Sequence, residues 1–379
     1  MFCSLVSNSC CELRRTADVD LRCHVLYAFL LDKFPGKVAC TISDVATLIQ
    51  ESNVLLPQNP DGLMPLISIL SDKGLFLLVR DSVSSEDSWI ILQKQVLLGE
   101  INGAIFAPKH FTQHKKDLSS STGVVPLFKL KSEFPDYNPT MIAKFLTHLE
   151  FCFKIDDQET LELLKDEVVH ENMSQSLSEE YYFFPALVSI ENPLQVWEQD
   201  DVMICQCAWF YRCVQHDQFL TTQFLHVLIL RLAFSFALKL DPGDSQEDSL
   251  VLRRRCSVWK HGIGWLNRVP IETVVEVGLL KQSVIIMMRC PKVEEAKCAQ
   301  LRSEVIQKVL EAKDEHCKAV EMSESFIHPS DVKYPFFHNA EDLKYFSLTE
   351  VARATIKEAD NVLDCRGRNP FPMKDSAVV

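Results

Sequence analysis

Apolar residues recur at helical spacing from Val25 to Phe34, with Leu26, Phe29, Leu30 and Phe34 on one side, and Pro35-Gly36 ends the run. A short strand is expected from Val38 to Thr41. Ser43 reads as the N-cap of a helix through Val45, Leu48 and Ile49, and a third helix around Met64 to Lys73 stops at Gly74. Leu75 to Val79, a polar tip from Asp81 to Ser88, and Trp89 to Leu92 then predict a hairpin. Three helices and a hairpin together predict a winged helix.

The same order recurs. Ile69 to Leu77 aligns without gaps on Phe145 to Phe153, and in both copies a helix runs into an apolar strand, an acidic loop and an aromatic-rich strand. The second aromatic strand is Tyr181-Tyr182-Phe183-Phe184, and the wing before it, Asp156 to Glu180, is long and acidic, which predicts a solvated loop. From about Pro193 the pattern changes to short strands at Val202 to Cys207, Cys256 to Trp259, Thr273 to Val277 and Ser283 to Met288. An apolar helix from Phe219 to Leu240 is expected to cover one face of that sheet, and Val293 to Lys318 reads as a second helix with Leu301, Val305 and Val309 on one stripe.

The expected class is α+β: tandem winged-helix-like units followed by a sheet-containing α/β domain with a long covering helix. The expected divisions are an N-terminal segment 1–24, a first unit 25–117, a second 118–192, the sheet-containing part 193–320 and a C-terminal extension 321–379.

Composition narrows the function. The apolar share of 47% suffices for a core in each part, and the net charge of -13 disfavours phosphate backbones and anionic lipid as partners. Fourteen cysteines in 379 residues fall well below the roughly 8–10% of disulfide scaffolds and read as buried thiols of a reducing compartment. The start, Met1-Phe2-Cys3-Ser4-Leu5-Val6, does not read as a signal peptide, so the expected address is cytoplasmic. Gln223, His226 and Arg231 interrupt the most apolar stretch, which therefore reads as a buried helix and not a membrane span.

Motifs for chemistry are missing from the sequence. Gly36-Lys37-Val38 lacks the upstream glycine and the hydroxyl of a phosphate-binding loop, and the kinase, zinc-protease and serine-hydrolase strings do not occur. Cys205, Cys207, Cys213 and His216 crowd together, but Cys205 and Cys207 share one face of an apolar strand, where zinc knuckles do not form; they read as buried sheet cysteines. His110 and His114 stand at a helical ligand spacing inside a polar linker and read as solvated. Arg253-Arg254-Arg255 follows the acidic stretch Asp241 to Asp248 and reads as a loop edge or a charge-paired contact. The expected groove helix, Asp44 to Ser52, carries acidic residues and no Lys or Arg, the wrong sign for DNA. No cofactor and no metal is expected.

Several strings look familiar. Gly123-Val124-Val125-Pro126-Leu127-Phe128-Lys129-Leu130-Lys131, Phe134-Pro135-Asp136-Tyr137, Phe145 to Phe153 and Tyr182-Phe183-Phe184-Pro185-Ala186-Leu187 resemble the COR region of Roco-family proteins. Phe219-Leu220-Thr221, the helix from Phe224 to Ala233 and the Trp259 to Trp265 hairpin resemble it too, in family order across roughly Val25 to Cys290. The variety it most resembles, in multidomain animal proteins, also carries the string from Glu324 to Pro335.

The resemblance implies a region that follows a Roc-type GTPase domain, dimerises, and couples nucleotide state to its neighbours. No Roc, leucine-rich-repeat, kinase or death-domain string is present here, so no GTP-binding role passes to any residue. It implies dimer contacts from Pro193 to Cys290, with Tyr211, Phe219, Phe224, Arg231, Trp259 and Trp265 as interface candidates. The expected function is a non-catalytic signalling scaffold, a homodimer that couples to a Roc-type GTPase. Two alternatives stay open: a fragment of a GTP-binding or kinase-type Roco enzyme whose catalytic domains lie outside this chain, and a winged-helix nucleic-acid binder.

Overall fold

The computed structural model describes residues 19–106 apart from 53, 81–83 and 85; 118; 121–156; 160, 161 and 164; 179–191; 204–237; 256–327 apart from 268 and 279; and 345–347, 353, 361–363 and 370–372. His110, His114, Arg253-Arg254-Arg255, most of the acidic wing and most of the C-terminal extension lie outside the described residues. Those that are described fall into two compact units, one within residues 1–118 and 130–148, the other within 119–129 and 149–379.

In the first unit, helix α1 (residues 19–33) leads to strand β1 (Ala39–Thr41), helix α2 (Ile42–Gln50) and helix α3 (Pro60–Asp72). The cap of α2 is Thr41 and not Ser43. Asp44 Oδ2 accepts from Thr41 N at 2.9 Å while Thr41 Oγ1 accepts from Asp44 N at 3.0 Å, a reciprocal pair that starts the helix directly from the extended strand end. Helix α3 begins earlier than expected because Asn59 caps it and Pro60 occupies its first position. Strands β2 (Leu77–Val79) and β3 (Trp89–Ile91) complete a three-stranded antiparallel sheet in the order β1-β3-β2. Leu26, Leu30, Ile42, Ile49, Leu63 and Ile67 fill the core beside it.

The internal repeat is visible in the backbone. Strand β4 (Val124–Pro126) is followed by helix α4 (Leu127–Glu133), helix α5 (Pro139–His148), strand β5 (Phe153–Ile155) and strand β6 (Tyr181–Phe183). The second sheet has the order β4-β6-β5, the same as the first. Both helices end on a left-handed residue, Gly74 at φ 73° and Glu150 at φ 56°, the two positions that the sequence alignment superposes. At Gly74 the reversal is closed by Gly74 N to Ser71 O at 2.8 Å and Leu75 N to Leu70 O at 3.2 Å. The compact units do not coincide with the two repeats, since residues 130–148 group with the first and the strands β4, β5 and β6 with the second.

The second unit is dominated by a seven-stranded antiparallel sheet. Its strands are β7 (Ile204–Cys213), β8 (Ser257–Trp259), β9 (Gly262–Leu266), β10 (Glu272–Val277), β11 (Ser283–Pro291), β12 (Met322–Ile327) and β13 (Tyr345–Ser347), in the order β13-β12-β7-β11-β10-β9-β8. Two sequence expectations change here. Strand β7 does not stop at Cys207, because a central strand covered on both faces reads as one apolar run, Ala208-Trp209-Phe210-Tyr211, with no alternation to mark it. The sheet also does not end at residue 320, since β12 pairs with β7 from Met322↔Cys213 to Ile327↔Ala208.

Helix α6 (Thr222–Leu232) and helix α7 (Glu295–His316) pack on one sheet face and on each other. The covering helix begins at Thr222 and not at Phe219 because Thr221 caps it, Oγ1 accepting from Phe224 N at 3.1 Å; a π-helical turn, Ala233–Ala237, continues it. Trp209, Phe224, Leu228, Val284, Ile286 and Val305 share the core between helices and sheet. A smaller apolar cluster, with Phe210, Trp259, Val274 and Met287, lies on the opposite face. The class is α+β, as expected. Among the described residues, no helix is long and apolar enough to cross a membrane.

Candidate functional site

The six interface candidates part company in the structure. Tyr211, Phe224 and Trp265 belong to the core beneath the helices, and Trp259 to the cluster on the opposite face, all of them buried. Their side chains hold the unit together and offer no surface. Phe219 is different: it is 53% exposed, in the loop just before the α6 cap.

Phe219 has exposed company at the same end of the sheet, where the sequence reading placed none. Val214 follows the last residue of β7 at 54% exposure, and Leu280 stands in the β10–β11 turn at 75%. That end is firmly tied: Cys213 N donates to Gln282 O at 2.8 Å, Leu220 N to Lys281 O at 2.7 Å, and Val214 N to Glu321 O at 2.9 Å. Side chains add Gln282 Nε2 to His216 O and Lys281 Nζ to Thr222 Oγ1, both at 2.6 Å. Lys281 holds a left-handed φ of 54°, a conformation that costs a non-glycine residue about 1–2 kcal/mol and fixes the turn. Three large apolar side chains thus project from a rigid frame. Sequence reasoning missed Val214 and Leu280 because each stands at a strand end or turn where an apolar run meets polar residues, Cys213-Val214-Gln215 and Leu279-Leu280-Lys281, and only the antiparallel pairing of β7 with β11 brings the two loops together.

Arg231 anchors an ion network. Its Nη2 lies 2.9 Å from Glu150 Oε1 and 2.5 Å from Glu315 Oε2, and His316 Nε2 lies 3.2 Å from Glu150 Oε2. The hydrogen bond that Arg231 donates to Glu315 raises the Arg231 pKa, and the same bond lowers that of Glu315. Glu150, Glu315 and His316 have the mutual spacing of metal ligands, yet their carboxylates already hold the guanidinium, so the cluster is an ion-pair clasp between the ends of α6 and α7 and the turn before β5.

The cysteines regroup. Cys213 and His216 are not with Cys205 and Cys207: Cys213 faces Cys317, and the His216 carbonyl accepts from Gln282. Cys205 and Cys207 instead lie opposite Cys290 and Met288 of β11, with Cys298 from the first turns of α7 among them. Hydrogen bonding from Cys207 holds the Cys298 thiol below its ordinary value, while burial keeps the Cys290 thiol high. The sequence reading did not connect these residues because β7 and β11 are some eighty positions apart.

On the face away from the helices, burial raises the Glu276 carboxyl to about 7, with the Trp259 indole pulling the other way. The folded protein therefore keeps a proton that the unfolded chain releases above about 4.5, so this residue makes stability fall as pH rises from about 4.5 to 7. Burial acts oppositely on His226, lowering it to about 4, so its contribution is lost as pH falls from 6.5 towards 4. Glu276→Gln is expected to melt higher than the parent at pH 8 and to lose the decline between pH 5 and 8, as read by thermal denaturation at each pH. An unchanged profile would place Glu276 in solvent.

A scan against protein-family models finds no match, and a search of curated proteins finds no similar sequence.

Proposed function

We propose that this chain is a non-catalytic interaction module of the kind its sequence strings resemble, a COR-like region that self-associates and couples to a Roc-type GTPase domain. In this reading the two repeats are winged-helix-like, and the unit built on the seven-stranded sheet carries the dimer contact. The observation that carries it is the exposed trio Val214, Phe219 and Leu280 on a hydrogen-bonded frame, within the stretch where the resemblance puts dimer contacts. Apolar anchors ringed by polar groups, here His216, Asp217, Lys281 and Gln282, have the anatomy of an interface core and rim. Of the six interface candidates, the exposed Phe219 is taken as the anchor and the buried tryptophans are set aside.

Light scattering over a concentration series tests it. The parent chain is expected to give a dimer mass, or a complex when a Roc-type domain is added. Phe219→Glu and Leu280→Glu are expected to weaken self-association by about 30-fold or more, the effect of losing an interface hot spot, with unchanged circular dichroism. A parent chain that is monomeric throughout and ignores the GTPase domain would overturn the proposal.

A further inference from the structure

We infer that Cys207, Met288 and Cys298 form a binding site for one soft monovalent metal ion of the cuprous type. Antiparallel register sets Cys207 opposite Met288 and Cys205 opposite Cys290, all four directed to the face that α7 covers. Four sulfurs thus form a block on two adjacent strands. Helix α7 adds a fifth from above, Cys298, whose Sγ lies 3.9 Å from Met288 Sδ. Cys207 Sγ reaches the Met288 backbone oxygen at 3.8 Å, which keeps it beside the same residue.

The spacing suits a metal. The 3.9 Å between Cys298 Sγ and Met288 Sδ is the edge of an equilateral triangle whose centre lies 3.9/√3, about 2.3 Å, from each corner, the length of a metal–thiolate bond, and Cys207 is the sulfur beside that edge that would complete it. The donor set selects the ion. Two thiols and a thioether, with no carboxylate or imidazole among them, match the soft-ligand preference of cuprous copper and suit neither calcium nor magnesium. Loading replaces two thiol protons, Cu⁺ + 2 RSH giving a three-sulfur complex of charge −1 and two H⁺, with no change of oxidation state. Arg302, one turn along α7 and held 4.5 Å over the Trp209 ring, supplies the opposite charge. None of these residues belongs to the proposed dimer surface, so the two proposals fail separately.

Cuprous ion titrated into the reduced full-length chain without oxygen, against a chromophoric cuprous chelator, provides the test. The parent is expected to retain one equivalent that Cys298→Ala does not, so the other cysteines are cancelled in the difference. Met288→Leu, which conserves volume and so preserves the fold, is expected to weaken that equivalent by about tenfold or more. X-ray absorption of the loaded parent should show a sulfur shell near about 2.3 Å. Equal uptake by the parent and both variants, each folded by circular dichroism, would overturn the assignment, as would zinc outcompeting cuprous ion for the same equivalent.

Discussion

Phe224→Asp is expected to unfold the sheet-containing unit and not to release a folded monomer. Phe224 is among the largest fully buried side chains and shares the core with Trp209, Tyr211, Leu228 and Ile286. Truncating such a phenylalanine costs about 3–5 kcal/mol, and an unpaired buried carboxylate adds several more, which together approach the whole stability of a domain. The loss is to be read as collapse of the far-ultraviolet circular dichroism at 25 °C, with Phe224→Leu retaining the fold. The contrast with Phe219→Glu is the informative part: two phenylalanines five positions apart, one on each side of the Thr221 cap, are expected to fail in different ways. A folded, monomeric Phe224→Asp protein would contradict the core described above.

Gly123→Ala ranks second. Gly123 stands just before β4 at φ 82°, where a side chain is strained whatever the space, and an added Cβ would lie 2.6 Å from the Phe184 carbonyl oxygen and 2.9 Å from Val188 Cγ2. The neighbour that would have to yield is backbone, and it is also bonded: Phe184 N donates to Gly123 O at 2.7 Å. Left-handed strain of about 1–2 kcal/mol and overpacking of about 1–3 kcal/mol predict a loss of about 2–5 kcal/mol. Thermal or urea denaturation of the full chain measures it. Gly74→Ala, whose Cβ meets nothing within 4 Å, carries only the strain and serves as the control. Equal losses at the two positions would remove the steric part of the argument.

The local elements were legible. The repeat shows how far local reading reaches: an ungapped match of nine residues marked two places where a helix runs into a strand, because each depends on a few consecutive residues, while the left-handed backbone at Glu150 and the later start of β2, at Leu77, came only with the structure. The cap of α2 was missed by two positions, since Thr41 serves at once as strand end and helix cap. Strand β12 was legible only as a familiar string, because its partner β7 lies over a hundred residues away and pairing of that range leaves no periodic mark.

The interface residues were the least legible. An aromatic in a β-rich stretch has the same sequence signature whether it faces a core or a partner, so Tyr211, Trp259 and Trp265 could not be told from Phe219 before their burial was known. The sequence by itself determined the α+β class, the internal repeat and most helix and strand positions, all consequences of short-range periodicity and capping. Tertiary structure alone decided which aromatics are enclosed, that Arg231 clasps Glu150 and Glu315, and that Cys207, Met288 and Cys298 meet. Those outcomes depend on strand register and helix placement, which are fixed by contacts between residues far apart in the chain.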